Sequence, residues 1–487
     1  MSSAVAGPCD SEIASTALPC STSYPRATLT ATILGSSLAF IDGSVVNVAL
    51  PAMAGDLDAS SAQLSWTINA YLLPLGALIL LGGGAGDFFG RRRLFLIGLS
   101  VFTLASILCF AAPSLGWLLA ARCVQGLGAA LLMPNSLAIL GSAYTGEARG
   151  RAIGVWAAAG AIAGALGPLL GGWLVDTIGW RMIFLINVPI AAAAAYLTWA
   201  YVAESQDRHR SPSLDWAGAG LATMALGLLT WSLTAAATAS AAGSWPWLTA
   251  ATGIVMVGAF LWVERVRGQH ALMPLAMFGT PIFVGLTLLT FFLYGSLSGL
   301  MVLLPYLLIR AAHYSAIAAG AALLPLPIVI GLGSPLMGAL TARIGAKLPL
   351  VIGAAVVAAG LALYGRVGIG RMDYWTDILP ATLLVSTGMG ICVAPLTTTV
   401  VASVDVSHVG VASGVNNAVA RIAGLIATAL LGFVFVLQGS AETFASGFRI
   451  AALIGAVSAA IASACALLFV TDSAAYGSPH RRRTNVV

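Results

Sequence analysis

Apolar stretches about as long as a bilayer is thick follow one another along almost the whole chain. A transmembrane helix needs about 20 mainly apolar residues, and breaking the sequence at charges, Pro/Gly clusters and polar runs gives fourteen such segments. Of the 487 residues, 59% are hydrophobic and only 8% are charged, whereas soluble proteins carry about 25% charged residues. A soluble globule is excluded, and the sequence predicts an all-α membrane protein with 14 transmembrane helices.

The predicted spans use most of the chain and leave no room for a soluble catalytic domain. The first eight are residues 28–50, 63–85, 93–112, 116–140, 152–175, 181–202, 214–235 and 246–264. The last six are residues 281–305, 315–338, 348–366, 376–403, 411–437 and 448–470. Because their number is even, both chain termini are expected on the same side of the membrane.

Basic residues are distributed unevenly between the two sides that these spans define. With the amino terminus inside, 15 of the 22 Lys and Arg residues fall on the inner side, 5 fall on the outer side, and Arg122 and Arg421 lie within spans. Short cytoplasmic loops are enriched in Lys and Arg, so we expect both termini in the cytoplasm. Residues 1–27 are predicted to be a disordered tail and residues 471–487 a second tail. The net charge of +5 then reflects topology, and no nucleic-acid partner is expected.

The composition also indicates a source and a compartment. The basic residues are 21 Arg and one Lys, and Gly and Ala are abundant, which is typical of a high-GC bacterial protein. The amino-terminal 27 residues contain one base, Arg26, and no short apolar core, so they lack the pattern of a secretory signal. We expect a multi-pass protein of the bacterial inner (cytoplasmic) membrane.

A weak internal repeat indicates how the spans are arranged. In the first copy the matching positions are Gly83, Gly90 and Arg92, and 255 residues later they are Gly338, Gly345 and Lys347. The repeat predicts two six-helix bundles, residues 28–202 and 281–470, with two inserted helices in residues 203–280. Parallel halves of this kind bind their solute near mid-depth, between the halves.

Two charged residues are expected at the same depth in different spans. Asp42 lies about 9 residues before the outer end of the first span, and Arg122 lies about 6 residues after the outer start of the fourth. A charge in hydrocarbon costs about 3 kcal/mol or more, so each needs a partner, water or a function. Burial and a nearby guanidinium change a carboxyl's proton affinity in opposite directions. The pair is therefore a candidate proton-coupling device; the alternative is a permanent ion pair that only locks two helices.

Other polar side chains within apolar helices are candidates for interhelical hydrogen bonds. Arg421 lies near the middle of span 411–437, and we expect no acid in the last six spans to pair with it. Its role is left open between helix packing and contact with a gate or a substrate. The candidate cavity residues are Asn47, Tyr71 and Arg421, and further polar positions are Asn69, Gln125, Asn416 and Asn417.

The segment after the second span reads GGAGDFFGRRR and is a candidate gate. An acid at a helix end can pair with Arg or face the amino terminus of a helix from the opposite half, and such a contact breaks as the halves rock. The alternative is that the three bases only set topology. The candidate gating residues are Gly83, Asp87, Gly90, Arg91 and Arg92.

The fifth span reads GAIAGALGPLLGGW and has small residues at helical spacing around a proline. Small residues let two helices approach closely, and proline frees a backbone carbonyl and bends the helix. The pattern predicts a tight seal or a hinge. Its residues are Gly160, Gly164, Gly167, Pro168, Gly171 and Gly172.

These motifs together resemble those of the major facilitator superfamily, in its fourteen-span drug:proton antiporter branch of QacA/EmrB-like exporters. The matching segments cover nearly the whole chain in order. They are FIDGSVVNVALP, SWTINAYLL, GDFFGRRR, RCVQGLGAALLMP, GPLLGGWL, WRMIFLINVPI and NNAVARIAG.

The resemblance implies a role for each matching position. Asp42 would be a protonation site, Arg122 and Gln125 the coupling motif, GDFFGRRR the gating loop, and the fifth span the antiporter motif. The chain departs from the family at two positions of the gating loop. Ala85 stands where the family usually has Leu, and Phe88 stands where it usually has a base. Exporters of organic cations often carry extra acids in the second half, and we expect none in the last six spans here. A neutral or mixed substrate is therefore equally compatible.

We therefore expect an exporter of small amphipathic compounds that works as a monomer by alternating access, exchanges its substrate for protons and needs no cofactor or metal. One alternative is a proton-coupled symporter or importer of a small metabolite. A membrane enzyme is disfavoured because no HExxH motif occurs and the five His residues lack paired ligand spacing. Leu348 after the only Lys, Lys347, excludes a Walker A loop.

Overall fold

The structure is a computed structural model of the whole chain. It describes residues 24–144, 146–205, 215–237, 245–268, 271, 273, 275–367, 373–404, 409–431, 434 and 441–471. Within these ranges the chain forms α-helices, short 3-10 and π turns, and no strand. The prediction of an all-α protein is confirmed. Almost all of the two predicted tails lies outside the described residues, although the first helix already begins at Pro25.

Sixteen α-helices have both of their ends within the described ranges. The first nine are α1 (Pro25–Asp56), α2 (Ser61–Phe89), α3 (Arg91–Phe110), α4 (Leu115–Ala143), α5 (Gly146–Thr177), α6 (Met182–Leu185), α7 (Asn187–Tyr201), α8 (Trp216–Ala237) and α9 (Trp245–Arg267). The others are α10 (Pro281–Arg310), α11 (Ala316–Ala322), α12 (Pro325–Ile344), α13 (Lys347–Tyr364), α14 (Leu379–Ala402), α15 (Val409–Leu430) and α16 (Ala441–Phe469). A 3-10 turn covers Leu275–Gly279 and a π turn covers Tyr374–Ile378.

Thirteen helical segments in the described part of the chain are long and apolar enough to cross a membrane. The predicted span missing from this set is residues 411–437, whose described part lies mostly in α15 (Val409–Leu430). With 22 residues α15 is long enough to cross a bilayer, and it contains the polar residues Asn416, Asn417 and Arg421. Fourteen spans are compatible with the structure, and the exact count stays a prediction.

Two predicted spans are interrupted rather than continuous. The sixth consists of α6 and α7 with Ile186 between them, and the tenth consists of α11 and α12 with a break just before Pro325. Proline lacks an amide hydrogen and so cannot donate the backbone hydrogen bond that would continue the preceding helix, but it is well tolerated at the first position of a new helix, which explains a helix restart at Pro325.

The chain divides into two compact units. The first comprises Met1–Gly227, Gly253–Val257 and Ser315–Ala321, and the second comprises Leu228–Thr252, Gly258–Tyr314 and Ala322–Val487. In the first unit, α4 packs against both α2 and α3, and α1 packs against α5 and α7. In the second unit, α14 packs against α12 and α13, while α10 packs against α15 and α16.

The internal repeat has a counterpart in backbone conformation. Gly90, between α2 and α3, has φ +104°, and Gly345, between α12 and α13, has φ +83°. Residues with a Cβ rarely adopt such angles, so both units need glycine where the second and third helices of the repeat meet. The two glycines are among the positions that the sequence repeat aligns.

Candidate functional site

A buried ion pair joins α1 to α4 in the first unit. The guanidinium of Arg122 donates from Nη1 to Oδ2 of Asp42. The side chains are 0% exposed for Asp42 and 1% for Arg122. Breaking such a pair by removing one partner costs about 3–5 kcal/mol, because the other charge stays buried without compensation. The structure thus brings together the two charges that the sequence places at one depth.

Gln125 bridges both members of this pair. Its Oε1 accepts from Nη1 of Arg122 at 2.7 Å, and its Nε2 donates to Oδ1 of Asp42 at 2.9 Å. The same Nε2 donates to the hydroxyl of Ser106 on α3 at 2.9 Å, and Asn187 on α7 donates to that hydroxyl at 3.3 Å. The network therefore connects four helices.

Tyr71 and a backbone carbonyl complete the surroundings of Arg122. The guanidinium carbon lies 4.4 Å from the centre of the Tyr71 ring, a cation–π distance, and Nε donates to the carbonyl of Thr67 at 3.0 Å. The Tyr71 hydroxyl donates to the carbonyl of Ala39 at 3.2 Å. Tyr71, predicted as a cavity residue, is fully buried and supports the ion pair.

Asn47, also a predicted cavity residue, lies on the same helix as Asp42 and is 6% exposed. Its Oδ1 has no hydrogen-bond partner among the described residues. A buried amide oxygen of this kind usually accepts from water or a bound molecule. The structure therefore places Asn47 in the core of the first unit, with an amide oxygen that has no hydrogen-bond partner among the described residues.

The candidate gate is more helical than the sequence predicts. Helix α2 continues to Phe89, so the expected loop is reduced to Gly90. Gly83 lies inside α2 next to Pro134 of α4. Asp87 accepts from Arg91 at 3.0 Å (Nε) and 2.8 Å (Nη2). That contact offsets the unfavourable position of an acid at a helix carboxyl terminus.

Glu204, which the sequence does not single out, holds the start of α3. Its carboxylate accepts from the backbone amides of Arg92 and Arg93 at 3.0 and 3.2 Å. The Arg92 guanidinium donates to the carbonyl of Trp199 at 2.7 Å. A Cβ on Gly90 would lie 2.7 Å from the Glu204 carboxyl carbon. In the sequence, Glu204 is only an acid shortly after a predicted span. Such a residue is typical of any loop and does not indicate the contact with α3.

The glycines of the fifth span lie in α5 and face α1. A Cβ at Gly160 would collide with the ring of Phe40, one at Gly167 with Ser44, and one at Gly171 with Val45. Gly164 is more open, with the Phe40 carbonyl oxygen 4.0 Å away. Small residues at this spacing therefore let the two helices approach closely.

The end of the same motif faces α11, which belongs largely to the first unit. A Cβ at Gly172 would collide with the backbone of Ala316, and one at Gly320 would collide with the carbonyl of Pro168. One turn later, the carboxylate of Asp176 accepts from the backbone amides of Ala316 at 3.2 Å and Ile317 at 2.8 Å. This second backbone approach is not evident from the sequence, since the two segments are about 140 residues apart.

Arg421 lies on α15 in the second unit and is not part of the ion-pair network. The expectation that the last six spans contain no acid is wrong for Asp377, which falls inside span 376–403. The structure places Asp377 in the π turn that precedes α14, where its carboxylate accepts from the Asp373 backbone amide at 3.0 Å. It acts there as a local turn-forming residue. Among the described residues, no group of three or more His, Cys, Asp or Glu side chains is placed to hold a metal ion.

The all-helical fold and its long apolar segments are those of a multi-pass membrane protein. The family is evident from the sequence match as well. The chain belongs to the Major Facilitator Superfamily, whose family model matches residues 32–428 and again residues 286–486.

Three relatives show how the similarity is distributed. The multidrug resistance protein Stp of Mycobacterium tuberculosis (strain CDC 1551 / Oshkosh) is 33% identical, with 85% of this chain and 76% of Stp covered. The methylenomycin A resistance protein of Bacillus subtilis (strain 168) is 33% identical, with 84% of this chain and 87% of that protein covered. The puromycin resistance protein pur8 of Streptomyces alboniger is 36% identical, with 81% and 78% covered.

Solved structures support the fold. A D-xylose-proton symporter superposes with a TM-score of 0.65 at 16% identity, covering 92% of this chain and 98% of the symporter. A bacterial homolog of the human lysosomal transporter Spinster superposes with a TM-score of 0.63 at 17% identity, covering 92% and 97%. The predicted fold of the superfamily is confirmed.

Proposed function

We propose that the protein exports small amphipathic, drug-like compounds across the membrane by alternating access and takes up protons in exchange. The observation that carries this proposal is the buried Asp42, held by Arg122 and Gln125. The relatives named for resistance to drugs support export as the direction. No chemical conversion of the solute is part of the proposal.

The energetics of the pair link proton binding to movement. While Asp42 is charged, it compensates Arg122, and the two charges need no water. A proton on Asp42 removes that compensation and leaves a guanidinium buried in a region where a charge costs several kcal/mol. The protein lowers this cost only by changing the surroundings of Arg122. Loading and unloading of one proton thereby favour different arrangements of α1 and α4.

The proposal includes the orientation and energy source expected from the sequence. The excess of bases in one set of loops supports cytoplasmic termini in a bacterial inner membrane. The proton gradient supplies the energy, with no cofactor. We propose a monomer as the working unit, because one chain contains both compact units.

Transport in everted membrane vesicles tests the proposal. A strain that expresses the protein is first screened for resistance to puromycin and methylenomycin A, the compounds named in two relatives. Everted vesicles expose the cytoplasmic side and acidify inside during respiration. We expect accumulation of the resisted compound that stops on addition of a protonophore. Accumulation that persists without the gradient would refute proton coupling.

The same vesicles separate export from the importer alternative. A symporter that moves its solute inward in the cell would carry it out of everted vesicles together with protons. Respiration would then lower the internal concentration of the compound below that of vesicles without the protein. Accumulation above that level is expected from the exporter.

A further inference from the structure

Three hydrogen bonds close a ring between Asp42, Arg122 and Gln125 in the first unit. Arg122 donates from Nη1 to Oδ2 of Asp42 and, at 2.7 Å, to Oε1 of Gln125. Gln125 donates from Nε2 to Oδ1 of Asp42 at 2.9 Å. Every contact in the ring pairs a donor with an acceptor while Asp42 is charged, because a carboxylate accepts at both oxygens. The ring therefore matches one protonation state of Asp42.

The partners of the Gln125 amide fix its orientation. A guanidinium has only donors, so the amide oxygen faces Arg122. The amide nitrogen then faces Asp42 with one hydrogen and the hydroxyl of Ser106, at 2.9 Å, with the other. Ser106 accepts that hydrogen because it donates its own to the Phe102 carbonyl at 2.9 Å. Both hydrogens of the amide are thus bonded.

A proton on Asp42 turns one carboxylate oxygen into a donor, and the ring can then no longer be matched. If the new O–H bond forms at Oδ2, its hydrogen faces a donor nitrogen of Arg122. If it forms at Oδ1, it faces Gln125, whose amide must turn over to offer its oxygen. The turned amide presents its nitrogen to Arg122. Both arrangements set donor against donor at Arg122, so the guanidinium has to give up one of its two partners.

Ser106 can pair with either orientation of the amide. A hydroxyl is one donor and two acceptors. Ser106 accepts from Nε2 of Gln125 in the observed orientation, and it can redirect its hydrogen from the Phe102 carbonyl to Oε1 in the turned one. Asn187 donates to the same hydroxyl oxygen at 3.3 Å and holds it in place in both cases. The contact at Ser106 therefore survives when the amide turns.

The ring is remote from other charges on the helices around it. The titratable side chains that touch it are Cys109 on α3, whose thiol donates to Oε1 of Gln125 at 3.7 Å, and Tyr71 on α2, whose ring lies against Arg122. Every other charged residue of α1, α2, α3, α4 and α7 lies within three residues of a helix end. Those of α5 lie among its first six residues or next to its last one. A change of charge in the ring therefore falls on its single acid.

We propose that the Gln125 amide turns over when Asp42 takes up a proton, which breaks the contact between Gln125 and Arg122. Ser106 is the positioning residue that supports both orientations of the amide. The inference rests on the proposed function and adds the residue through which proton binding is passed on to Arg122. The proton comes from water, forms the O–H bond at Oδ1 of Asp42 and is donated to Oε1 of Gln125.

Transport by purified variants in proteoliposomes tests this switch. Two initial rates are measured with a labelled compound to which the expressing strain is resistant. One is accumulation driven by an imposed pH gradient, in which Asp42 gains and loses a proton in every cycle. The other is exchange of labelled for unlabelled compound at equal pH, in which its charge need not change. The ratio of the two rates reports the turning of the amide, whereas a variant that only packs badly loses both rates together.

Variants of two residues assign the switch. Gln125→Met has no amide and leaves Arg122 without a mismatch when Asp42 is protonated, so the ratio of accumulation to exchange should fall at least about tenfold. Ser106→Ala should lower the ratio about three- to tenfold, the effect of one hydrogen bond. Ser106→Thr keeps the hydroxyl and should retain most of the ratio. Ser100→Ala is the matched control and should equal wild type, because exposed Ser100 on α3 makes the same bond to the carbonyl four residues before it.

Three results would overturn the proposal. They are an unchanged ratio in Gln125→Met, a ratio in Ser106→Ala equal to that in Ser100→Ala, and a parallel loss of both rates in Ser106→Ala. Asp42→Asn, measured beside these variants, separates the switch from the proposed function. If Asp42→Asn loses accumulation while Gln125→Met keeps the wild-type ratio, only the switch is refuted. If Asp42→Asn accumulates the compound like wild type, proton coupling at Asp42 is refuted, and the switch with it.

Discussion

The side-chain amide of Gln125 donates a hydrogen bond of 2.9 Å to the carboxylate of Asp42, although the two residues are 83 positions apart and lie on α4 and α1. Arg122, three residues before Gln125, occupies the other carboxylate oxygen. One face of α4 therefore holds both oxygens of a single buried acid. Any change in the charge of Asp42 acts directly on the packing of α1 against α4.

The ion pair should behave as a unit in stability measurements. Asp42→Ala and Arg122→Ala each leave one buried charge without its partner, which costs about 3–5 kcal/mol. The double variant buries neither charge, so its loss of stability should be smaller than the sum of the two single losses. The wild-type protein, the two single variants and the double variant are purified. Size-exclusion chromatography after heating gives the melting temperature of each. Additive losses would mean that the two side chains do not interact.

Close approach of α5 and α11 should depend on Gly172. An added methyl group there collides with the backbone of Ala316, and overpacking of this kind costs about 1–3 kcal/mol. Gly172→Ala should lower the melting temperature. Gly154→Ala is the matched control on the same helix, because a Cβ at Gly154 meets nothing within 4 Å. Equal melting temperatures for the two variants would contradict the close contact.

The contacts of Glu204 should matter for the start of α3. Its carboxylate accepts from two backbone amides of the first helical turn, and loss of a capping side chain costs about 0.5–2 kcal/mol. Glu204→Ala should lower the melting temperature more than Glu204→Gln, which keeps one acceptor oxygen. A Glu204→Ala protein as stable as wild type would show that the cap is unimportant.

Depth in the membrane was predictable from the sequence, and side-chain direction was not. Counting residues from the ends of two apolar spans placed Asp42 and Arg122 at one level, because the rise per residue of a helix is constant. The contact of Gln125 with Ser106 depends on how α3 and α4 are rotated about their axes. Hydropathy contains little information on rotation in helices that are apolar on most sides.

Helix ends and contacts between distant segments were also outside the reach of the sequence. The Gly residues and charges around Asp87 predict a loop, yet the Arg91 side chain allows α2 to continue to Phe89. Asp176 looks like an ordinary acid at the end of a span. Only the fold places it against the first amides of α11, 140 residues away.

Reconstitution of Asp42→Asn into proteoliposomes tests the central claim most directly. Two activities are compared, using a labelled compound to which the expressing strain is resistant: accumulation driven by an imposed pH gradient, and exchange of labelled for unlabelled compound at equal pH. We predict that Asp42→Asn loses accumulation and retains exchange, because exchange needs no net proton movement. Asp42→Glu, which keeps a carboxyl group, should retain part of both. Wild-type accumulation by the Asp42→Asn protein would contradict the account.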